Sequence, residues 1–317
     1  MNKNILTTLS AALVFGLVSA AWAERPTGTP DCEFDGGVFY KSNNTLYLES
    51  FNKDSATVEI TSYAKECVST NAKKPYNVVV ERNTKLAANS TIVLPLDYSL
   101  KSDCVKLYEP VQMGKDKSGK WNFTAKNSKG TGNAKKPMLM IADTEKEACS
   151  DIKEITFTSQ TDLDDTPRQH LITNVQIYNS ESGQSDWSLE GTYSYIQWEE
   201  YHPDLGTVYG YAAKDKGEVK AGQFVKVGSG ASVAPLRAYL KYMGTKSLAK
   251  SASPAELPET IDVLLIDGEG GTTRMVRWNM ATGEITKVNG WYDLNGRKLN
   301  GKPENKGMFV GKKTIQK

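Results

Sequence analysis

Apolar and polar positions alternate along this chain in short bursts, and the dominant period is two. The first bursts fall at 38–40 and 45–48, joined by the turn-forming pair Asn43-Asn44, and at 56–60 and 76–80. A period of two puts successive side chains on opposite faces of a strand. These four runs therefore predict a small antiparallel β unit, with Lys73-Lys74-Pro75 as a loop. A run at 90–95 ends on Pro95, which cannot donate to a ladder. Further strands are predicted at 120–125, 137–142, 154–159, 186–196, 207–212, 222–227 and 236–243. Turn chemistry lies between them at Asp116-Lys117-Ser118-Gly119, Ser182-Gly183, Asp215-Lys216-Gly217 and Gly228-Ser229-Gly230. The stretch 246–257, rich in Ser, Ala and Lys, reads as a linker. Strands at 260–266, 274–278 and 283–288 follow it. Beyond the apolar leader, no window of about 12 or more residues keeps a 3.6-residue period. Only 143–153 has room for a helical turn. Many short strands at this spacing predict an all-β chain of two or three small antiparallel β-sandwich-like domains. The expected units are 24–84, 85–245 and 258–317.

The leader changes the setting in which those domains fold. Lys3 precedes an apolar core, and Ala21-Trp22-Ala23 supplies small residues at the two positions a signal peptidase reads, so 1–23 is expected to be removed after Ala23. Four cysteines follow: Cys32, Cys67, Cys104 and Cys149. An even number in an exported chain predicts two disulfides. Nearest-neighbour pairing, Cys32–Cys67 and Cys104–Cys149, makes each bridge close one local unit. A zinc site is disfavoured because no CxxC occurs and both histidines, His170 and His202, are far from the cysteines. The chain of 317 residues carries 39 Lys+Arg against 37 Asp+Glu. Losing Lys3 leaves an excess of one, which provides no basic field for a nucleic acid. No later run reaches the ~18 apolar residues of a membrane-spanning helix.

Candidate chemistry is sparse. Asp162, Asp164 and Asp165 share one loop, and Glu199 and Glu200 another, but adjacent loop acids are ordinarily solvated. The Asp162–Asp165 spacing does not match a calcium loop. Neither histidine has a nucleophile motif to serve. Gly268, Gly270 and Gly271 follow a strand without a Lys-Ser/Thr pair, so they are expected to form a hairpin turn, not a phosphate loop. No catalytic residue, cofactor or metal is expected. The densest cluster is aromatic: Trp187, Tyr193, Tyr195, Trp198, Tyr209 and Tyr211, with Tyr201 nearby. Such rings pack across strands in a core, or form a flat platform on which sugar rings stack. Along Tyr193-Ser194-Tyr195 the two rings are expected to share one face of a strand, because side chains alternate with period two.

The last 28 positions resemble a known address. Tyr292, Asp293, Leu294, Gly296 and Arg297, then Lys306, Gly307, Phe309 and Val310, then Lys312 and Lys313, are similar to the C-terminal sorting region of proteins exported by the type IX system of Bacteroidota and Fibrobacterota. The proline-asparagine-proline box common at the start of such regions is missing here. The succession from Leu86 through Ser90–Pro95, Gly191-Thr192-Tyr193, Tyr209-Gly210-Tyr211 and 222–227 to 235–240 is similar to modules found in secreted and surface proteins of the same bacteria. The resemblance implies export machinery as a partner and a secreted or outer-surface location. The expectation is a non-catalytic binding or adhesion protein. The alternative is a carbohydrate-binding accessory protein of polysaccharide degradation, with an unrecognised hydrolase behind it.

Overall fold

In the computed structural model, the described residues are 25–86, 89–102, 104–142, 152–166, 172–213, 215–244 and 257–269, with the backbone of 272–279, 284–287, 291–292 and 298–299. The leader 1–23 and most of the sorting-like tail (Asp293, Leu294, Gly296, Arg297, Gly307, Phe309, Val310) lie outside them.

The chain begins with β1 (Cys32–Phe34), β2 (Gly37–Tyr40), β3 (Thr45–Glu49), α1 (Ser62–Asn71) and β4 (Tyr76–Leu86). It continues through β5 (Asn89–Ile92), β6 (Tyr98–Leu100), β7 (Val105–Lys115), β8 (Trp121–Asn127), β9 (Thr131–Gly132), β10 (Met138–Ala142) and β11 (Ile152–Ser159). Next come β12 (Ile172–Asn179), β13 (Gln184–Thr192), β14 (Ile196–Trp198), β15 (Val208–Tyr211), β16 (Phe224–Lys226), β17 (Ala231–Val233) and β18 (Arg237–Tyr242). The last are β19 (Thr260–Glu269), β20 (Thr272–Asn279), β21 (Glu284–Lys287), β22 (Trp291–Tyr292) and β23 (Lys298–Leu299). The all-β expectation holds. The architecture is a seven-stranded sheet beside a closed eight-stranded barrel.

The sheet runs β1-β2-β3-β4-β11-β6-β9. Its alternation serves two faces: Phe39, Leu46, Leu48, Val78, Val80, Ile155 and Phe157 enter the larger core, while Val38, Tyr40, Tyr47 and Val79 form a second cluster on the other face. Arg25 lies over the Tyr47 ring at 5.8 Å and pairs with Glu49 and Glu81. The expected antiparallel unit needs correction, because β3 and β4 pair in parallel, from Thr45↔Asn77 to Glu49↔Glu81. A parallel pair requires a crossover, and α1 supplies it. The helix escapes a periodicity search because it buries only Ala64 and Val68, a single i, i+4 repeat. Its N-cap is Thr61, whose Oγ1 accepts from Ala64 N at 3.2 Å. The Cys32–Cys67 disulfide staples it to β1, as expected. Cys104 is disulfide-bonded too, whereas Cys149 is outside the described residues. Disulfides of this kind place the folded chain in an oxidising, non-cytoplasmic setting.

The barrel runs β7-β8-β19-β16-β15-β18-β13-β12 and closes from β12 back to β7. Two of its pairings are parallel, β12 with β7 and β19 with β8. Eight strands leave an interior that side chains can fill. Here Trp121, Phe123, Trp187, Tyr209, Phe224 and Tyr242 are among those that fill it. Trp187, fully buried, is the hub, with ring centroids 5.1 Å from Tyr242, 5.6 Å from Tyr209 and 5.7 Å from Trp121. β10 and β5 extend the barrel sheet toward the other sheet. Met138 and Met140 of β10 face the shared core, and Leu139 and Ile141 face the barrel cluster.

This closure overrides the expected units. The boundary at 84 falls inside β4. β19, expected in a separate C-terminal unit, is a barrel strand, and Leu257, the end of the expected linker, is buried in the barrel core. β7 went unpredicted because Pro110 interrupts it. The register shifts between Pro110 and Gln112, a bulge that accommodates a residue without an N–H. β19 and β20 pair out to Glu269↔Thr272, the hairpin expected around Gly268. In the tail, Tyr292 lies in β22, which pairs with β23 on the far side of Asn295-Gly296.

Candidate functional site

The outer face of the barrel carries a small ribbon, β14 paired with β17. The side chains of β18 alternate in its register: Ala238, Leu240 and Tyr242 enter the barrel, and Tyr239 points outward. Tyr239 meets Trp198 of the ribbon edge to face at 5.1 Å. Its Oη donates to Glu190 Oε2 at 2.8 Å, which settles a buried carboxylate. Burial, then the Glu190 charge, pushes the Tyr239 phenol far above its usual range. Between ribbon, β18, β15 and β5 lies a cavity of about 240 Å³, with Trp198, Tyr211, Tyr239, Thr91, Ser232 and Arg237 in its wall.

β5 is clamped to β18 at the cavity floor. Thr91 Oγ1 donates to the Ala238 carbonyl and accepts from Ala238 N, both at 2.8 Å. The single hydroxyl proton of Thr91 is thereby committed. Behind it, buried Arg82 donates Nη1 to Ser90 Oγ at 2.6 Å and Nη2 to the Thr91 carbonyl at 3.2 Å. Arg237 differs. It is partly open to the cavity and its Nη atoms make no hydrogen bond among the described residues, although a buried, partnerless Nε and the lack of an ion pair there are common to both arginines. Burial lowers both guanidinium pKa values, and the neighbouring Arg237 charge lowers that of Arg82 further. Two like charges near each other, with no ion pair to either among the described residues, are an arrangement that an anion relieves. The residue before Arg237, Leu236, has φ of +61°. A branched side chain pays for that conformation with about 1–3 kcal/mol of strain, of a kind that gathers at functional positions.

The six expected platform residues do not share a surface. Trp187 and Tyr209 are fully buried inside the barrel, and Tyr211, partly buried, packs against that core with its ring 5.2 Å from Phe224. Tyr193 is buried in the core shared with the sheet. Tyr193 and Tyr195 lie between β13 and β14, not on one strand. Tyr195 is half-buried and donates to Gln197 at 3.1 Å. Only Trp198 and Tyr211 reach the cavity. Cross-strand packing is thus the main use of these rings. The acids are dispersed as well: Asp162 pairs with Lys74, Asp164 with Lys135 and Asp165 with Lys65, all solvent-exposed. His202 Nδ1 accepts from Asp204 N, and His170 is outside the described residues. No group of three metal-ligating side chains occurs among the described residues, and no helix there is long and apolar enough to cross a membrane.

Sequence reasoning missed Arg82 and Arg237. An arginine in a β-run normally reads as a solvated strand edge, and the run 236–243 carries Lys241 as well as Arg237, so nothing in it singles Arg237 out. Fold and cavity define an all-β chain, a barrel joined to a sheet, with an uncommitted guanidinium in a cavity on the barrel wall. Comparison with family models, curated proteins and solved structures gives no match.

Proposed function

We propose that this is an exported, non-catalytic binding protein of the cell surface or extracellular space, whose C-terminal region serves export and attachment. The observation that carries the binding role is the cavity beneath the β14–β17 ribbon, where aromatic rings and an unpartnered Arg237 converge. Concave sites of mixed aromatic wall and few polar groups are the usual form of small-ligand sites. The leader 1–23, the disulfides and the sorting-like tail support the export half. Fractionation of a type IX-competent host expressing the full chain, or the chain ending at 289, tests it. The full chain is expected at the surface or in the medium and the shortened one in the periplasm. Identical distribution of the two overturns the address assigned to the tail.

A second reading, a carbohydrate-binding accessory protein, is favoured by Trp198 and Tyr239 in the cavity wall. Retention of the protein on immobilised polysaccharide, lost on Trp198→Ala, is the expected result. Unchanged retention in that variant removes the cavity from sugar binding.

A further inference from the structure

We infer that the cavity on the barrel wall is a receptor for an oxoanion, held by Arg237, with the carboxylate of an acidic sugar as the form its wall favours. The inference rests on the reading of that cavity as a binding site. Of the two guanidinium groups, Arg82 has a structural task, because Ser90 and the Thr91 carbonyl fix its two Nη atoms. Arg237 has no such bond among the described residues and is partly open to the cavity it lines, while a partnerless Nε is common to both arginines. A buried carboxylate on the same outer face, Glu190, is engaged by Tyr239. An arginine fork matches the two oxygens of a carboxylate, phosphate or sulfate, and a second cation close behind strengthens the field for any of them.

Size and wall narrow the ligand. A cavity of about 240 Å³ lies just below the ~300–1,000 Å³ of drug-sized sites, so it admits one ring or the end of a longer chain. Trp198 and Tyr239, almost fully buried and packed edge to face, contribute apolar ring edges to the wall beside the charge. An acidic sugar presents a matching combination of ring and carboxylate. A phosphorylated ligand shares the anion chemistry without needing the rings.

Calorimetric titration and thermal melting of the full chain with glucuronate, glucose, acetate and inorganic phosphate test the inference. Glucuronate is expected to bind and to raise the melting temperature by on the order of 2 °C at about ten times its Kd. Glucose is expected to bind at least tenfold more weakly. Arg237→Gln is expected to lower glucuronate affinity by at least about thirty-fold, the loss typical of truncating one partner of a buried charge pair. Arg237→Lys, which keeps the charge without the fork, is expected to fall between the two. Lys241→Gln, on the same strand but paired with Asp204 outside the cavity, serves as the charge control and is expected to bind like the wild type. Phosphate binding more tightly than glucuronate, still dependent on Arg237, keeps the oxoanion receptor and makes the ligand a phosphorylated one. Equal binding of glucose and glucuronate, unaffected by Arg237→Gln, overturns the anion receptor while leaving the cavity a binding site. Failure of the wild type to bind any of the anions also overturns it, whether or not the variants fold.

Discussion

Trp187 offers the most discriminating perturbation of the barrel, because two opposing effects meet in one side chain. The ring is fully buried, touches Trp121, Tyr209 and Tyr242, and has an Nε1 with no hydrogen-bond partner. Truncation to alanine removes a whole aromatic core residue, which costs about 3–5 kcal/mol. Losing three ring pairs, each worth about 0.5–1.5 kcal/mol, places Trp187→Ala at the upper end of that range. Against a total stability of about 5–15 kcal/mol, that leaves the fold marginal. Trp187→Phe is a different matter. It gives up two ring carbons, about 2 kcal/mol at ~0.8 kcal/mol for each carbon buried. It also removes a buried, unsatisfied donor whose desolvation costs about 1–3 kcal/mol. The two nearly cancel, so Trp187→Phe is expected within about 1 kcal/mol of wild type. Urea unfolding followed by far-ultraviolet circular dichroism separates the variants without relying on tryptophan fluorescence. If Trp187→Phe loses as much as Trp187→Ala, Nε1 is satisfied in the folded barrel and the reasoning fails.

Three further outcomes follow from the same structure. The Cys32–Cys67 bridge closes a separation of 35 residues, so the Cys32→Ala/Cys67→Ala double variant is expected to lose about 4 kcal/mol in the chain-entropy account, measured by denaturant unfolding. Thr61→Ala removes the N-cap of α1 and is expected to cost about 1 kcal/mol, read by the same assay, with Thr61→Ser close to neutral. Burial raises the Tyr76 phenol from its ordinary value of 10.0 to about 12. Its folded pKa is raised, so the stability it contributes is present below pH 10 and is lost as pH climbs from there through about 12, where the unfolded chain binds fewer protons. Melting temperature should therefore fall across that alkaline window, with tyrosinate absorbance appearing alongside unfolding. A Tyr76→Phe variant that falls just as steeply assigns the loss to the other buried tyrosines.

By itself the sequence determined what is local. Short runs, some alternating and some continuously apolar, marked β2, β3, β8, β10, β11, β15, β16, β18 and β19, because which face a residue presents depends only on its neighbours along the strand. Turn residues did the same for Asn44, whose φ of +53° is one that asparagine tolerates. Disulfide pairing of Cys32 with Cys67 was legible because both lie in one local unit. What only the tertiary structure decided is non-local. Whether strands close into a barrel depends on pairings between distant segments, such as β19 with β8, and each strand reads the same in an open or a closed sheet. The use of Trp187, Tyr193 and Tyr209 as core, with no platform, follows from that closure. So does the cavity. Ser50 reaches the Pro235 carbonyl across 185 positions, and Thr91 reaches Ala238 across 147. Those contacts bring Arg82 near Arg237, with no ion pair to either among the described residues, a charge balance that no local pattern can encode.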